Sequence, residues 1–585
     1  MNKKMQRWPA LAAGCACLIA IIAAALLLPE NHSTAAVKVA LSCESGFYDA
    51  PFQLELTGEG EIHYTLDSSD PDADSPLYTG PIQIGDASQN ANVYSAIGDV
   101  ALDIGAADLL EEAGFALKFN YRIPDAPVDK ATVVRAVAID GMGRRSETVT
   151  GVYFVGYGDR PAYDGMNVIT ITTDPANLFD SARGIYVLGD AFQNVLKDGA
   201  IKLSKNANTS FLPANYWYRG MDWERRASVC FFDADRQLIT SGDYGIRIQG
   251  RAGNRPKLPK SLNLFARGSY GAASFPGEVA DLGFDLTHLN LNSGSNDVNS
   301  LLKDRLVNAL CADLNIGTRE YMPYVLFLDG EYWGVYWLTP RYKKDYLSSK
   351  YGVVADNLVV YYAYEPVSSA NNSIYDNQLT SDHGRIEVGR GDDMALFDAM
   401  RDFILHADMA EPESYARACE LIDMESCLDY YALEIYIANT DWPKYNTALW
   451  RTRDLDSGQW GDCRWRWLLF DVNSAMKADD ARLDCVERTI EMDEFFAALM
   501  DSPEFSDRFY KKLVSLAYSE FAPDRVDPFI NEYEAAMQAQ MQLKNLRFYN
   551  GEKTEDYFIN ACEKIRGFLA DRRDYILTKY GDRYE

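Results

Sequence analysis

The stretch TDWPKYNTALWRTRD, residues 440–454, sets an aspartate five positions ahead of an asparagine at the entrance of an alternating run. Apolar and polar residues alternate after Asn446, which predicts a strand and leaves Asp441 and Asn446 in the loop that feeds it. The Gly-containing connection LDSGQWGDC follows, and then RWRWLLFDVN, a second predicted strand that ends on Asp471. In an antiparallel pairing of the two strands, the residue before the first and the residue ending the second share one end. Asp441, Asn446 and Asp471 are therefore expected to converge. Two carboxylates and an amide so placed can hold a hard divalent cation and take a proton from a hydroxyl. The alternative is a turn, with Asp-Trp-Pro merely opening the strand.

The whole chain has 585 residues, with 57 Lys and Arg against 86 Asp and Glu, a formal charge of −29 that repels polyphosphate and excludes nucleic acid as a main partner. With 47% of the residues apolar and 12% of all residues aromatic, a long disordered protein is excluded. Residues 1–36 differ: MNKKMQR is basic, and Trp8 to Leu28 carries no charge, which predicts an uncleaved membrane anchor with Lys3, Lys4 and Arg7 on the cytoplasmic side and the rest of the chain outside the cell. Cleavage near Thr34-Ala35-Ala36 would instead release a secreted protein. Beyond the leader the cysteines show no CxxC pattern and no His at zinc spacing, which excludes a metal finger, while one or two disulfides are allowed outside the cell. The five histidines form no cluster, so His-based hydrolysis is poorly supported.

Short alternating runs and Asp-Pro, Gly-Pro and Gly-rich turns over residues 37–155 predict a β-sandwich of immunoglobulin-like type, with a partly helical insert at residues 90–122. Strand-like runs (NVITITT, RGIYVLG, GIRIQG, KSLNLFAR) then alternate with helical ones (NSLLKDRLVNALCADL, DMALFDAMRDFILHA, CLDYYALEIYIAN), and Asp329-Gly330 between YVLFL and EYWGVYWL predicts a two-residue hairpin turn. From Glu491 the period is helical. The fold class expected is α+β: the sandwich, a domain over residues 160–500, and its helical C-terminal part over residues 501–585. Arg390-Gly391-Asp392 spells an adhesion tripeptide, but Asp392 is expected to cap the helix that follows.

In YGIRIQGRAGNRPKLPKSLNLFARGSYG a strand ends at Gly250, a Gly-, Asn- and Arg-containing loop follows, and Lys260 opens the return strand. Backbone amides with Arg251, Arg255 and Lys260 form a local anion patch that suits a triphosphate, or else a basic surface loop balancing nearby carboxylates. Neither GxGxxG nor a Walker loop is present.

Four ordered motifs, RIQGRAGNRPKLPKSLNLFARGSYG, VLFLDGEYWGVYWL, NTDWPKYNTALWR and RWRWLLFDVN, resemble the CotH-type spore-coat kinases, a family of atypical secreted protein kinases. GFYDAPFQLEL, IHYTLDSSDP and SPLYTGPI resemble the module at the C-terminus of chitobiases and β-hexosaminidases, which implies a spacer or wall-facing part. The kinase resemblance implies a kinase-like fold and transfer of the ATP γ-phosphate to Ser/Thr of surface or secreted proteins with Mg or Mn. It implies Lys260 as phosphate-binding lysine, Asp441 as catalytic aspartate, Asn446 as metal-side amide and Asp471 as metal-binding aspartate. Two positions depart from the family: Pro340 stands where a lysine-positioning Glu is common, leaving Glu331 or Asp304 to substitute, and Asn473 replaces the second Asp of a D-x-D pair. These departures keep open an inactive cell-surface scaffold, or a binder of cell-wall glycan, on a kinase-like fold.

Overall fold

The computed structural model describes residues 37–100, 122–197, 213–251, 254–363, 384–443, 446–554 and 556–584. The expected anchor and most of the expected helical insert lie outside the described residues; residues 90–100 carry no helix. Among the described residues no helix is long and apolar enough to cross a membrane.

The first region is built of strands, β1 (Val39–Leu41), β2 (Gly46–Tyr48), β3 (Phe52–Leu54), β4 (Leu56–Gly58), β5 (Glu61–Thr65), β6 (Ile82–Ile84), β7 (Thr132–Ile139) and β8 (Val149–Val155). They form a four-stranded sheet, β2-β8-β7-β5, and two two-stranded ones, β1-β4 and β3-β6. Their inner faces bury Leu54, Ile84, Val134 and Tyr153 in one core, the reason for the period-two pattern in the sequence.

The second region opens with a closed barrel of β9 (Asn167–Thr172), β10 (Arg225–Phe232), β11 (Leu238–Ile248), β12 (Leu262–Phe265), β13 (His288–Asn292), β14 (Met322–Leu328) and β15 (Glu331–Pro340), in the order β10-β11-β12-β13-β15-β14-β9. A parallel pairing, Tyr324 against Asn167 through Leu328 against Ile171, closes it. The β14–β15 turn is the expected one: Asp329 and Gly330 adopt φ of 48° and 84°, the left-handed conformations a two-residue hairpin needs. RGIYVLG is not a strand. Residues 184–188 run as irregular chain across the barrel, burying Tyr186, and the Tyr186 hydroxyl accepts from Lys260 N (3.1 Å) and Trp333 Nε1 (2.8 Å). Its alternation reflects burial without a partner strand.

A four-stranded sheet follows, ordered β17-β16-β18-β19, from β16 (Leu358–Ala363), β17 (Arg385–Val388), β18 (Thr447–Thr452) and β19 (Arg466–Leu468). Helices Met394–His406 and Met424–Tyr436 precede β18, and after β19 the chain is helical, ending in Pro523–Tyr549 and Tyr557–Tyr580. The whole is mixed α and β, strand-rich at the start and helical at the end. Ahead of Met394–His406, Asp393 takes the capping part expected of Asp392: it is buried, accepts from Arg390 N (2.6 Å) and pairs with Arg453 (2.5 Å). Every cysteine in the described residues is a free thiol.

Two contacts lock the regions together. Glu331, buried at the start of β15, accepts from the backbone amides of Val93 and Ser95 (2.7 Å each), and Phe154 packs edge-on to Phe327 at 4.8 Å. At the other end, fully buried Arg572 on the last helix donates to the carbonyls of Ile435 (2.6 Å), Tyr436 (2.9 Å), Leu483 (2.7 Å) and Ala481 (3.2 Å). A guanidinium is suited to this because its fork meets several of the carbonyls that a helix C-terminus leaves unpaired, and the helix dipole favours its charge. Arg572→Met removes the side-chain donor from all four and leaves the Tyr436 and Ala481 carbonyls without it in a dry interior, a loss of about 3 kcal/mol. The expected readout is a lowered thermal midpoint by circular dichroism, with Arg572→Lys intermediate; an unchanged midpoint for both variants contradicts the role.

Candidate functional site

The Met424–Tyr436 helix ends under the Arg572 clamp, and the chain turns at Ala438, whose φ is 50°. Asn439 then bridges: its Nδ2 donates to Glu434 Oε2 (2.9 Å) and its Oδ1 accepts from Asp441 N (3.2 Å). Arg488 holds the same loop from outside, donating to the carbonyls of Thr440 and Trp442 (2.9 Å each). Asp441 is thereby fixed with its carboxylate exposed at the rim. Asn446 donates from Nδ2 to Asp441 Oδ2 at 3.1 Å, so the two residues singled out in the sequence do meet.

β18 pairs antiparallel with β19, Ala448 opposite Leu468, which carries Asp471 back to the end where β18 begins. The strand is shorter than expected, and Asp471 lies beyond its end. Asn446 and Asp471 both adopt left-handed backbone, φ 60° and 57°, a conformation that Asn and Asp tolerate better than other non-glycine residues. Such strain gathers at functional sites. Asp471 keeps a partly exposed edge but is otherwise enclosed by protein. Burial, then the neighbouring carboxylates of Asp304 and Asp441, push it up to about 7, opposed by the Arg319 guanidinium and the Asn473 amide that donates to it.

Asp304, at the first turn of helix Lys303–Leu310, is buried, accepts from Val472 N at 3.1 Å and so anchors the Asp471 loop; burial raises it to about 6. Glu434 is buried with Oε1 unpaired, and burial followed by the charges of Asp471 and Asp304 raises it to about 8. Arg319 is the compensating cation, enclosed by the rings of Tyr321 and Tyr342. Sequence reading missed Glu434 and Arg319 as site residues. Charged residues inside apolar runs, such as Glu434 in YYALEIYIAN, were the available signal, because ionisable groups are rarely buried without a function or a partner.

The basic loop is arranged differently from the expected anion patch. Arg255 is buried and donates to the carbonyls of Ile248 and Gly250 (2.7 Å each), because an enclosed guanidinium must satisfy its N–H groups. Lys260 is fully buried; its ammonium donates to Arg255 O and lies 4.0 Å from the centre of the Tyr216 ring, and burial holds its pKa well below the ordinary lysine value. No carboxylate pairs with it among the described residues: Glu331 is engaged by Val93 and Ser95, and Asp304 by Val472. Arg251 is half-buried and its carbonyl accepts from Asn254 and Arg255, closing the loop on itself. Lys257 connects to the aspartates through a chain of amides, donating to Asn296 Oδ1 (3.1 Å), from which Asn296 donates to Asn473 Oδ1 (3.1 Å) and Asn473 to Asp471; Lys303, whose ammonium donates to Ala475 O, interacts with Asp304.

A family model described as CotH kinase protein matches residues 246–576, which takes in the basic loop, both aspartates and the helical tail. The chain belongs to the CotH kinase family. A second model, Fn3 associated, matches residues 48–153, the strand-rich first region. No individually curated protein matches the chain. CotH membership carries a protein-kinase-like function, and kinases of this kind use ATP with a divalent metal.

Among the described residues no three of His, Cys, Asp and Glu form a metal centre. The oxygen donors at hand are Asp471 and the amides of Asn446 and Asn473, and the repulsion of Asp304 and Asp441 on Asp471 is of the sign that a cation offsets. The residues therefore fit a hard divalent ion. Glu434 supplies a test of the buried charge. A glutamate that ionises near 4.5 unfolded but near 8 folded keeps a proton in the native state alone, so stability falls as pH rises from about 4.5 to about 8. Glu434→Gln is expected to flatten that fall in thermal midpoint between pH 5 and pH 8; equal slopes for variant and wild type contradict it.

Proposed function

We propose that this protein is an extracellular phosphotransferase that moves the γ-phosphate of ATP to a Ser or Thr hydroxyl of surface or secreted proteins. The observation that supports this most is the meeting of Asp441, Asn446 and the raised Asp471 at one end of the β18–β19 pair. Asp441 is the general base: exposed at the rim and fixed through Asn439, its carboxylate takes the hydroxyl proton as the acceptor oxygen bonds to the γ-phosphorus and ADP leaves. Asn446 braces Asp441 through its amide nitrogen, which leaves its Oδ1 for ligation beside Asp471. Bound Mg or Mn would supply charge neutralisation on the phosphates.

For the phosphate-binding lysine, two residues share the loop. Lys260 would have to leave Arg255 O and the Tyr216 ring to reach a phosphate, whereas Lys257 already connects through Asn296 and Asn473 to Asp471. We assign the phosphate contact to Lys257 and give Lys260, with Arg255, the task of holding the loop in shape. Arg251 stays at the loop's half-exposed mouth.

A second reading has its own observation: the uncharged Asn473 beside Asp471 and, among the described residues, the absence of a carboxylate for Lys260 suit an inert scaffold that binds wall glycan. Purified protein incubated with labelled ATP, Mg or Mn and candidate surface proteins separates the two. Transfer is expected to fall about 10²-fold or more in Asp441→Ala, to vanish in Asp471→Ala, and to weaken through the KM for ATP in Lys257→Ala. Transfer undiminished in the aspartate variants overturns the roles. A metal-dependent rise in melting temperature with nucleotide is expected; no rise with any nucleotide favours the scaffold.

A further inference from the structure

A cavity of about 280 Å³ opens on the far side of the loop that carries Asn296, between helix Pro523–Tyr549, the start of helix Tyr557–Tyr580 and the backbone at Val298 and Asn299. Two lysines line it. Lys544, 2% exposed, donates to Val298 O (2.8 Å), and Lys553 donates to Asn299 Oδ1 (2.9 Å) while its ammonium lies 3.7 Å and 4.2 Å from the ring centres of Tyr549 and Tyr557. Each ammonium has three N–H donors and makes one hydrogen bond among the described residues. Among the described residues neither has a carboxylate at ion-pair distance, although the chain as a whole is acidic. A third group is unmatched: Asn545 Oδ1 is buried with no donor, while its Nδ2 is held by Lys553 O at 2.8 Å. Apolar and aromatic walls from Tyr549, Tyr557 and Phe558 complete the lining.

From this arrangement we propose that the cavity binds a small ring-bearing organic anion, its carboxylate or phosphate between Lys544 and Lys553, its ring on Tyr549 and Tyr557, and a donor group on Asn545 Oδ1. Three features fix the class. Two ammonium groups with spare donors and no ion-pair partner among the described residues call for negative charge. The side chains of Tyr549, Tyr557 and Phe558 give the cavity an apolar wall against which a flat ring can pack. The volume admits a single ring with one or two substituents, well below the size of a nucleoside triphosphate. Burial and mutual repulsion hold Lys544 down to about 7, and burial alone holds Lys553 down to about 8, which an anion between them would reverse.

The proposal does not rest on the phosphotransfer reading, and its test reads binding directly. Phenyl phosphate, 4-hydroxybenzoate and neutral benzyl alcohol are titrated into the full chain by calorimetry. Saturable 1:1 binding of one or both anions, with benzyl alcohol at least tenfold weaker, is expected. The tighter of the two anions identifies phosphate or carboxylate as the preferred head group. Lys553→Gln, at the half-buried rim, is expected to weaken binding at least tenfold with an unchanged circular dichroism spectrum. Asn545→Leu, expected to remain folded, should weaken 4-hydroxybenzoate, whose hydroxyl can donate to Oδ1, more than phenyl phosphate, which has no such donor. Failure of both anions to saturate, or equal affinity in wild type and Lys553→Gln, overturns it.

Discussion

The antiparallel pairing of β18 with β19 is the constraint on which the site depends. Its register, Ala448 opposite Leu468, decides that Asn446 and Asp471 emerge at the same end. A slip of one residue would turn every side chain of the pair to the opposite face and separate them. The register is held on both sides by burial: Trp450, Trp465 and Trp467 are all enclosed, and Arg466 pairs with Asp423 at 2.9 Å. The same Asp423 caps the helix that leads to Asp441, accepting from Ser426 N. One carboxylate therefore ties the second strand of the pair to the helix that leads to Asp441.

Around that frame the protein accepts an unfavourable concentration of negative charge. Asp304, Glu434 and Asp471 are enclosed near Arg319, whose charge opposes the rise of Asp304 and Asp471, and each is raised toward its neutral form. Groups in this state are poised near neutrality, so small changes in local charge alter their protonation. The compensation comes from distant chain segments. Arg572, from the end of the sequence, completes the helix that carries Glu434, and Asp304, from before β14, anchors the loop after β19.

Much of this was legible in the sequence. The Asp441 to Asn446 spacing, the two runs that became β18 and β19, the Asp329-Gly330 turn and the helical tail all follow from local pattern, and local pattern is what sequence shows best. The barrel was not legible, because its closure is a parallel pairing between β9 and β14, more than 150 residues apart, with no local signature. RGIYVLG misled for a related reason: Tyr186 needs a buried hydroxyl partner, and alternation records burial whatever supplies it. The basic loop misled because a lysine before a strand reads the same whether its ammonium faces a ligand or a ring. Lys257 and Lys260 differ only in which way the cis-containing loop turns them.

The Glu331 clasp has a mechanical meaning. Because that carboxylate takes two amides from the strand-rich region while Phe154 continues the barrel core through Phe327, the two parts are joined at that point by hydrogen bonds and continuous packing. The span from the outer edge of β1 to the rim at Asp441 is then a fixed offset rather than a tether's range. A surface that held the first region would also set the height and bearing of the Asp441 rim, so that reach would be selected by architecture and not by chain length.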